Sequence, residues 1–156
     1  MHRHLLALAA LAVLVAPAPA SAQYLGVYAF TGVSGPHAPL WQAGGGIERV
    51  YGNGVGISGE GGIATNGDYY QKLSHFTING LYHFKTKDRR LDPFVLGGFG
   101  FVADWDGAGG VFPIGAGLNY WTSPRVGIRL EFKDNFFPAQ ENAFHMAGFR
   151  IGVTLR

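Results

Sequence analysis

The sequence contains no cysteine. A secreted domain of this size therefore has no disulfide staple and must find its stability elsewhere. The same lack removes a lipid-modified cysteine as an anchor. Charge is scarce as well. Asp, Glu, Lys and Arg make up 14% of the chain and form no basic run, which leaves no electrostatic footprint for nucleic acid. Beyond residue 22 no apolar stretch is long enough for a transmembrane helix, so any membrane crossing must be made by strands. A sustained apolar stripe at helical spacing is missing too. Glycine, by contrast, is abundant at 25 of 156 residues, and 12 Phe, 7 Tyr and 3 Trp add many aromatics. Glycine at about twice its ordinary frequency weakens helices. The chain is expected to be all-β.

The first residues follow the three-part plan of a secretory leader. His2, Arg3 and His4 make a polar start, residues 5–15 are uninterruptedly apolar, and Pro17 and Pro19 precede Ala20, Ser21 and Ala22. Eleven apolar residues fall well short of the roughly 20 that a spanning helix needs, so cleavage after Ala22 is expected rather than a retained anchor. This divides the chain into a signal peptide, 1–22, and one domain of 134 residues (156 − 22), 23–156. Losing Arg3 leaves 11 basic residues (12 − 1) against 10 acidic ones, a net charge of +1.

The clearest strand pair lies at 112–137. Val126, Ile128, Leu130 and Phe132 alternate with Gly127, Arg129, Glu131 and Lys133, which puts apolar residues on one face and charge on the other. Ile114, Ala116, Leu118 and Tyr120 repeat the pattern against Gly115, Gly117, Asn119 and Trp121, and Pro124 suits the turn between them. Similar segments lie at 24–33, 40–51, 55–64, 72–84, 92–103 and 143–156. That makes eight strands of about 10–14 residues, against the 9–11 of a transmembrane strand. Asn53-Gly54 marks a tight hairpin. If the odd-numbered connections lie outside the cell, 34–39, 65–71, 104–110 and 134–142 are the outer loops, and 52–54, 85–91 and 122–125 the inner turns, of which the first and last are short and 85–91 is longer than the pattern prefers.

Across several strands the second face is a mixture of Gly, small polar residues and isolated charges. This is too poor in charge for a solvated exterior, so the apolar face is expected to meet lipid and the glycine-rich face to line a narrow barrel. The segments at 24–33 and 92–103 do not alternate cleanly, and their facing stays open. Charges inside need partners, since an isolated one costs several kcal/mol. Glu48, Glu60, Arg129, Glu131 and Arg150 are expected to form an interior ionic network. Solvation of each by trapped water is the competing reading. Aromatics near strand ends, including Tyr24, Trp41, Tyr51, Tyr69, Tyr70, Phe84, Trp105, Tyr120, Trp121, Phe136 and Phe137, are candidates for interfacial girdles.

PFVLGGFGF at 93–101, GAGLNYWTSPRVGIRLEFKD at 115–134 and GFRIGVTLR at 148–156 resemble the small outer-membrane β-barrel proteins similar to outer-membrane protein A. The chain departs from that pattern at Leu155-Arg156, where the family has a closing aromatic. The resemblance implies an eight-stranded antiparallel up-and-down transmembrane barrel in the outer membrane of a Gram-negative bacterium. It further implies a monomer surrounded by outer-membrane lipid and lipopolysaccharide, inserted by the barrel-assembly machinery, with a structural or envelope-maintenance role and at most a narrow solute path. Two other functions compete. A lipid-A-modifying enzyme would need a Ser, a His and a carboxylate gathered near the outer rim, yet Ser74 and His75 are adjacent and point to opposite faces. His37 and His145 have no serine in a shared motif. A soluble lipocalin-like ligand-binding barrel would show a Gly-x-Trp signature, which is missing. The remaining histidines have no metal-ligand spacing, and nothing implies a cofactor.

Overall fold

The computed structural model describes residues 22–35, 40–66, 72–104, 107–138 and 144–156. The leader up to residue 21, together with His37, Tyr69, Tyr70 and Trp105, lies outside the described residues. Eight strands follow one another: β1 (Ala22–Ser34), β2 (Leu40–Tyr51), β3 (Val55–Thr65), β4 (Lys72–His83), β5 (Leu91–Ala103), β6 (Ala108–Trp121), β7 (Val126–Phe137) and β8 (Phe144–Leu155). Each pairs antiparallel with its sequence neighbour, and β1 pairs with β8 from Val27↔Leu155 to Ser34↔Gly148. The sheet is thus a closed up-and-down barrel. Closure gives every strand two partners and leaves no edge to be capped, which compensates for the missing disulfide. Among the described residues there is no helix.

Two strands run further than expected. β6 begins at Ala108 and β7 continues through Asn135 to Phe137. The expected asymmetry of connections disappears as a result. At one end they occupy 35–39, 66–71, 104–107 and 138–143, and at the other 52–54, 84–90 and 122–125, which includes the longest of all. The physical reason is that Gly109 and Gly110, though turn-like in composition, pair as extended backbone with Val102 and Phe101. We call the two ends the loop end and the turn end, with the start of β1 and the end of β8 at the turn end.

The alternation resolves as an inversion of ordinary globular packing. Val126, Ile128, Leu130 and Phe132 point outward and are exposed, while Gly127, Arg129, Glu131 and Lys133 are buried. β8 behaves likewise, with Phe149 exposed by 73% and Arg150 by 5%. Across the described residues 23 large apolar side chains are exposed, whereas 16 polar or charged residues are buried against only 11 apolar ones. A water-soluble monomer does not present a continuous apolar exterior of that extent around an ionic centre.

β1 and β5, whose facing the sequence left open, are apolar on both sides. β5 points Phe94, Leu96 and Val102 inward and Val95, Phe99 and Phe101 outward. β1 puts Tyr28 and Phe30 inside and Leu25 and Val27 outside. Phe94 and Leu96 join Leu81 in a small apolar cluster within the barrel. One irregularity has a clear cause. The β5–β6 ladder is regular from Leu91↔Tyr120 to Gly97↔Ile114 and resumes only at Gly100↔Val111. Pro113, in the gap, has no N–H to give to a neighbouring strand.

Glycine sets how closely the walls approach. Gly46 faces inward from β2, and a Cβ there would lie 2.6 Å from the Gly59 carbonyl oxygen and 2.7 Å from the Tyr28 hydroxyl. Its lack of a side chain is what lets Tyr28 lie across the lumen. Gly54 holds the β2–β3 turn at φ +90°, where an L side chain is strained, and a Cβ would meet the His83 carbonyl oxygen at 2.5 Å.

Candidate functional site

The polar residues of the interior come from opposite sides of the wall. Glu48 is supplied by β2, Glu60 by β3, Arg129, Glu131 and Lys133 by β7, and Arg150 by β8. The period of two along β7 places its three charges at successive inward positions, and the barrel register brings β2 and β3 across to them. Arg129 Nη1 lies 2.9 Å from Glu48 Oε2, and its Nη2 lies 3.0 Å from Glu131 Oε2. Arg150 Nη1 bridges Glu131 Oε1 at 3.3 Å and Glu60 Oε1 at 2.8 Å. Lys133 Nζ reaches the same Glu60 oxygen at 2.8 Å. The six groups form one chain of alternating sign, Glu48–Arg129–Glu131–Arg150–Glu60–Lys133, with three charges of each kind.

Further contacts occupy what the ion pairs leave. Tyr28 donates its hydroxyl to Glu60 Oε2 at 3.1 Å, and Tyr24 donates to Glu48 Oε1 at 3.2 Å. Arg150 Nε donates to Gln42 Oε1 at 2.9 Å. The guanidinium of Arg129 lies between the rings of Tyr28 and Phe94, at 4.3 and 4.1 Å from their centroids, and that of Arg150 lies 4.2 Å from Phe30. Planar guanidinium groups suit this stacking, since their faces are weakly hydrated while their edges keep the carboxylates. The aromatic residues inside are therefore part of the ionic arrangement.

Of the residues expected inside, Glu48, Glu60, Arg129, Glu131 and Arg150 are all buried and joined through ion pairs. Lys133 was missed. Its signal was present in the strict i, i+2, i+4 spacing after Arg129 and Glu131, and in the imbalance of three acids against two bases that it removes. Tyr24, Tyr28 and Gln42 carried no comparable signal, because an aromatic or amide in a strand reads equally well on either face.

A second polar cluster lies towards the turn end. The His83 Nδ1 is 2.8 Å from Asp92 Oδ1, while Asn119 and Tyr24 donate to Asp92 Oδ2 at 3.1 and 3.3 Å. Trp121 packs edge-on to Tyr24, and the Arg156 guanidinium covers the Trp121 ring at 3.9 Å. This corrects the expected girdles at three positions. Tyr24 and Trp121 line the inside, where a hydroxyl partner and a cation are available to them, and Phe137 lines it at the opposite end. Trp41, Phe84 and Tyr120 do lie exposed on the outer wall near strand ends.

Towards the loop end the remaining interior space is small. Between Gln42, His75, Asn135, Met146 and Arg150 it amounts to about 10 Å³, about the minimum that a single water needs. Ser74 is exposed while His75 faces inward, with Nε2 3.5 Å from Glu60. His145 stands on the outer surface beside Asp134 at 2.8 Å. Among the described residues no group of three or more metal-binding side chains comes together.

No protein-family model matches the chain, and no curated protein matches it significantly in sequence. Solved structures do. Neisserial surface protein A aligns over 84% of this chain and 94% of its own, at 13% identity with a TM-score of 0.67. The N-terminal β-barrel domain of Pseudomonas aeruginosa OprF aligns over 83% and 96%, at 21% identity and a TM-score of 0.56. The chain has the fold of the small eight-stranded outer-membrane β-barrels. A de novo designed transmembrane β-barrel shares it too, over 89% of this chain and 97% of its own, at 18% identity and a TM-score of 0.59. Because a designed barrel has this shape, the fold by itself implies no activity.

Proposed function

We propose that this protein is a small integral outer-membrane barrel with a structural or envelope-maintenance role, a filled interior and no wide conduit. The observation that supports it most is the inversion of polarity: exposed apolar side chains surround a closed barrel whose buried charges are paired in one network. In lipid, apolar side chains facing outward are at home, and a closed barrel satisfies every backbone group. The interior network then acts as a plug that holds the walls in register. The lack of a free edge leaves nothing for strand pairing with a second copy, which supports a monomer whose immediate partners are lipid and lipopolysaccharide. The leader at 1–22 exports the chain, which the barrel-assembly machinery then inserts, and the start of β1 directly behind that leader supports a periplasmic turn end.

Neither competing function gains support. A lipocalin-like barrel binds its ligand in an apolar cavity, whereas here ion pairs fill that space. For an acyl-transfer or deacylase site, Ser74 and His75 stay on opposite faces. The test is refolding of the full chain into phosphatidylcholine vesicles, followed by heat-modified gel mobility and planar-bilayer conductance. The expected result is a compact, faster-migrating, bilayer-inserted species with no large steady conductance. A mature protein that stays monodisperse without detergent and ignores vesicles would refute the membrane reading.

A further inference from the structure

The charges outside the barrel core are not evenly distributed. Lys85, Lys87, Arg89, Arg90, Arg125 and Arg156 are all exposed at the turn end, where the acidic residues are Asp88 and Asp92. Asp88 accepts the backbone N–H of Arg90 at 2.9 Å, and Asp92 is held by His83, Asn119 and Tyr24. Among the described residues none of the six cations forms an ion pair. Among the described residues of the loop end the balance reverses, with Lys72 against Asp104 and Asp134.

This basic rim encloses a space. A cavity of about 370 Å³ opens at the turn end between the β4–β5 turn and the mouth of the barrel. Lys85, Arg89 and Arg156 line it together with His83 and Trp121. Both of the latter are buried, and His83 Nε2 has no hydrogen-bond partner among the described residues. Phe84 and Leu91, exposed as members of the outer apolar face, also line it, and so do Gly54, Thr86 and Asp92, whose carboxylate is taken up by His83, Asn119 and Tyr24. Phe84 packs edge-on against Tyr82, so the cavity wall runs directly into that face.

We infer that this cavity binds the headgroup of an anionic phospholipid, the phosphate seated among Lys85, Arg89 and Arg156 and the acyl chains lying along Phe84 and Leu91. Three adjacent cations without carboxylate partners attract a phosphodiester, and the donors of a guanidinium suit its oxygens in pairs. A free soluble anion would use the cations but would gain nothing from the apolar wall beside them. The volume is that of an ordinary small-molecule site. This inference rests on the membrane reading above, since only an inserted barrel presents the rim at headgroup depth.

The test uses the full chain inserted into phosphatidylcholine vesicles doped with phosphatidylglycerol. Heat-modified mobility first establishes insertion. A chain that does not insert refutes the membrane reading itself, whereas insertion without lipid preference refutes only this inference. Native mass spectrometry after micellar extraction should find phosphatidylglycerol retained over phosphatidylcholine. Lys85→Gln/Arg89→Gln/Arg156→Gln should weaken its apparent affinity on the order of a hundredfold, and Lys85→Gln/Arg89→Gln, which leaves Arg156 on Trp121, by more than about tenfold. Lys87→Gln/Arg125→Gln, at the same end but off the cavity, should lose much less. Equal losses from both sets of variants, equal retention of the two lipids, or full displacement by inorganic phosphate would each overturn the site.

Discussion

Glu60 is the point at which the interior network is most exposed to a single change. Its Oε1 lies 2.8 Å from both Lys133 Nζ and Arg150 Nη1, and its Oε2 accepts the Tyr28 hydroxyl. Glu60→Gln keeps the shape and removes one negative charge. Arg150 retains Glu131 at 3.3 Å, but Lys133, only 1% exposed, has no other acid in contact among the described residues. Stranding one partner of a buried pair costs about 3–5 kcal/mol, a large part of the 5–15 kcal/mol that holds an ordinary domain. With a denaturant slope of about 2 kcal/mol per M urea, the unfolding midpoint in vesicles should fall by roughly 2 M. The folded fraction is read at each urea concentration from heat-modified gel mobility. Glu60→Gln/Lys133→Met removes both charges and should recover most of the loss, because an apolar replacement for a buried ion pair is often neutral or better. A midpoint for Glu60→Gln within about 0.25 M of the parent, or about 0.5 kcal/mol, would show that trapped water solvates Lys133, and the network would not be what holds the wall.

Other perturbations follow from the same geometry. Arg129→Glu sets a third acid beside Glu48 and Glu131, and should prevent the folded species from accumulating on gels. Exchanging the two, Arg129→Glu/Glu131→Arg, should not rescue it, because the new pair faces Glu48 and Arg150 with like charge. Harmless single reversals would contradict the network. Ile114→Arg, at an outward position 65% exposed, should cost about 2–4 kcal/mol of folding free energy in vesicles if its depth is near the bilayer centre. In a water-soluble barrel the same change would be close to neutral, so urea titration of this variant separates the two environments. Gly46→Ala would place a Cβ 2.7 Å from the Tyr28 hydroxyl, and an overpacking penalty of about 1–3 kcal/mol should appear as a lower temperature of mobility shift. Parental stability in that variant would mean that Tyr28 does not lie across the lumen as described.

The sequence by itself determined the secondary structure and its two-sided chemistry. Val126 to Lys133 could be read residue by residue, because a strand's side chains alternate whatever the strand packs against. The count of eight strands followed from the same rule, as did the inward side of Glu48, Glu60, Arg129, Glu131 and Arg150. Where both faces are apolar, as with Val95 against Phe94 and Leu96, periodicity carries no information, and only the closed barrel decided which side was in. Connection lengths misled for a related reason, since Gly109 and Gly110 extend only because β5 lies beside them. Tertiary structure alone decided who meets whom. Lys133 and Glu60 are 73 residues apart, and their 2.8 Å contact depends on how β3 and β7 are staggered around the barrel. Tyr24 and Trp121 gained their interior partners for the same cause: the register set Glu48 and Asp92 beside one and Arg156 over the other. Local pattern gives each side chain a direction, but its partners come from closure and shear.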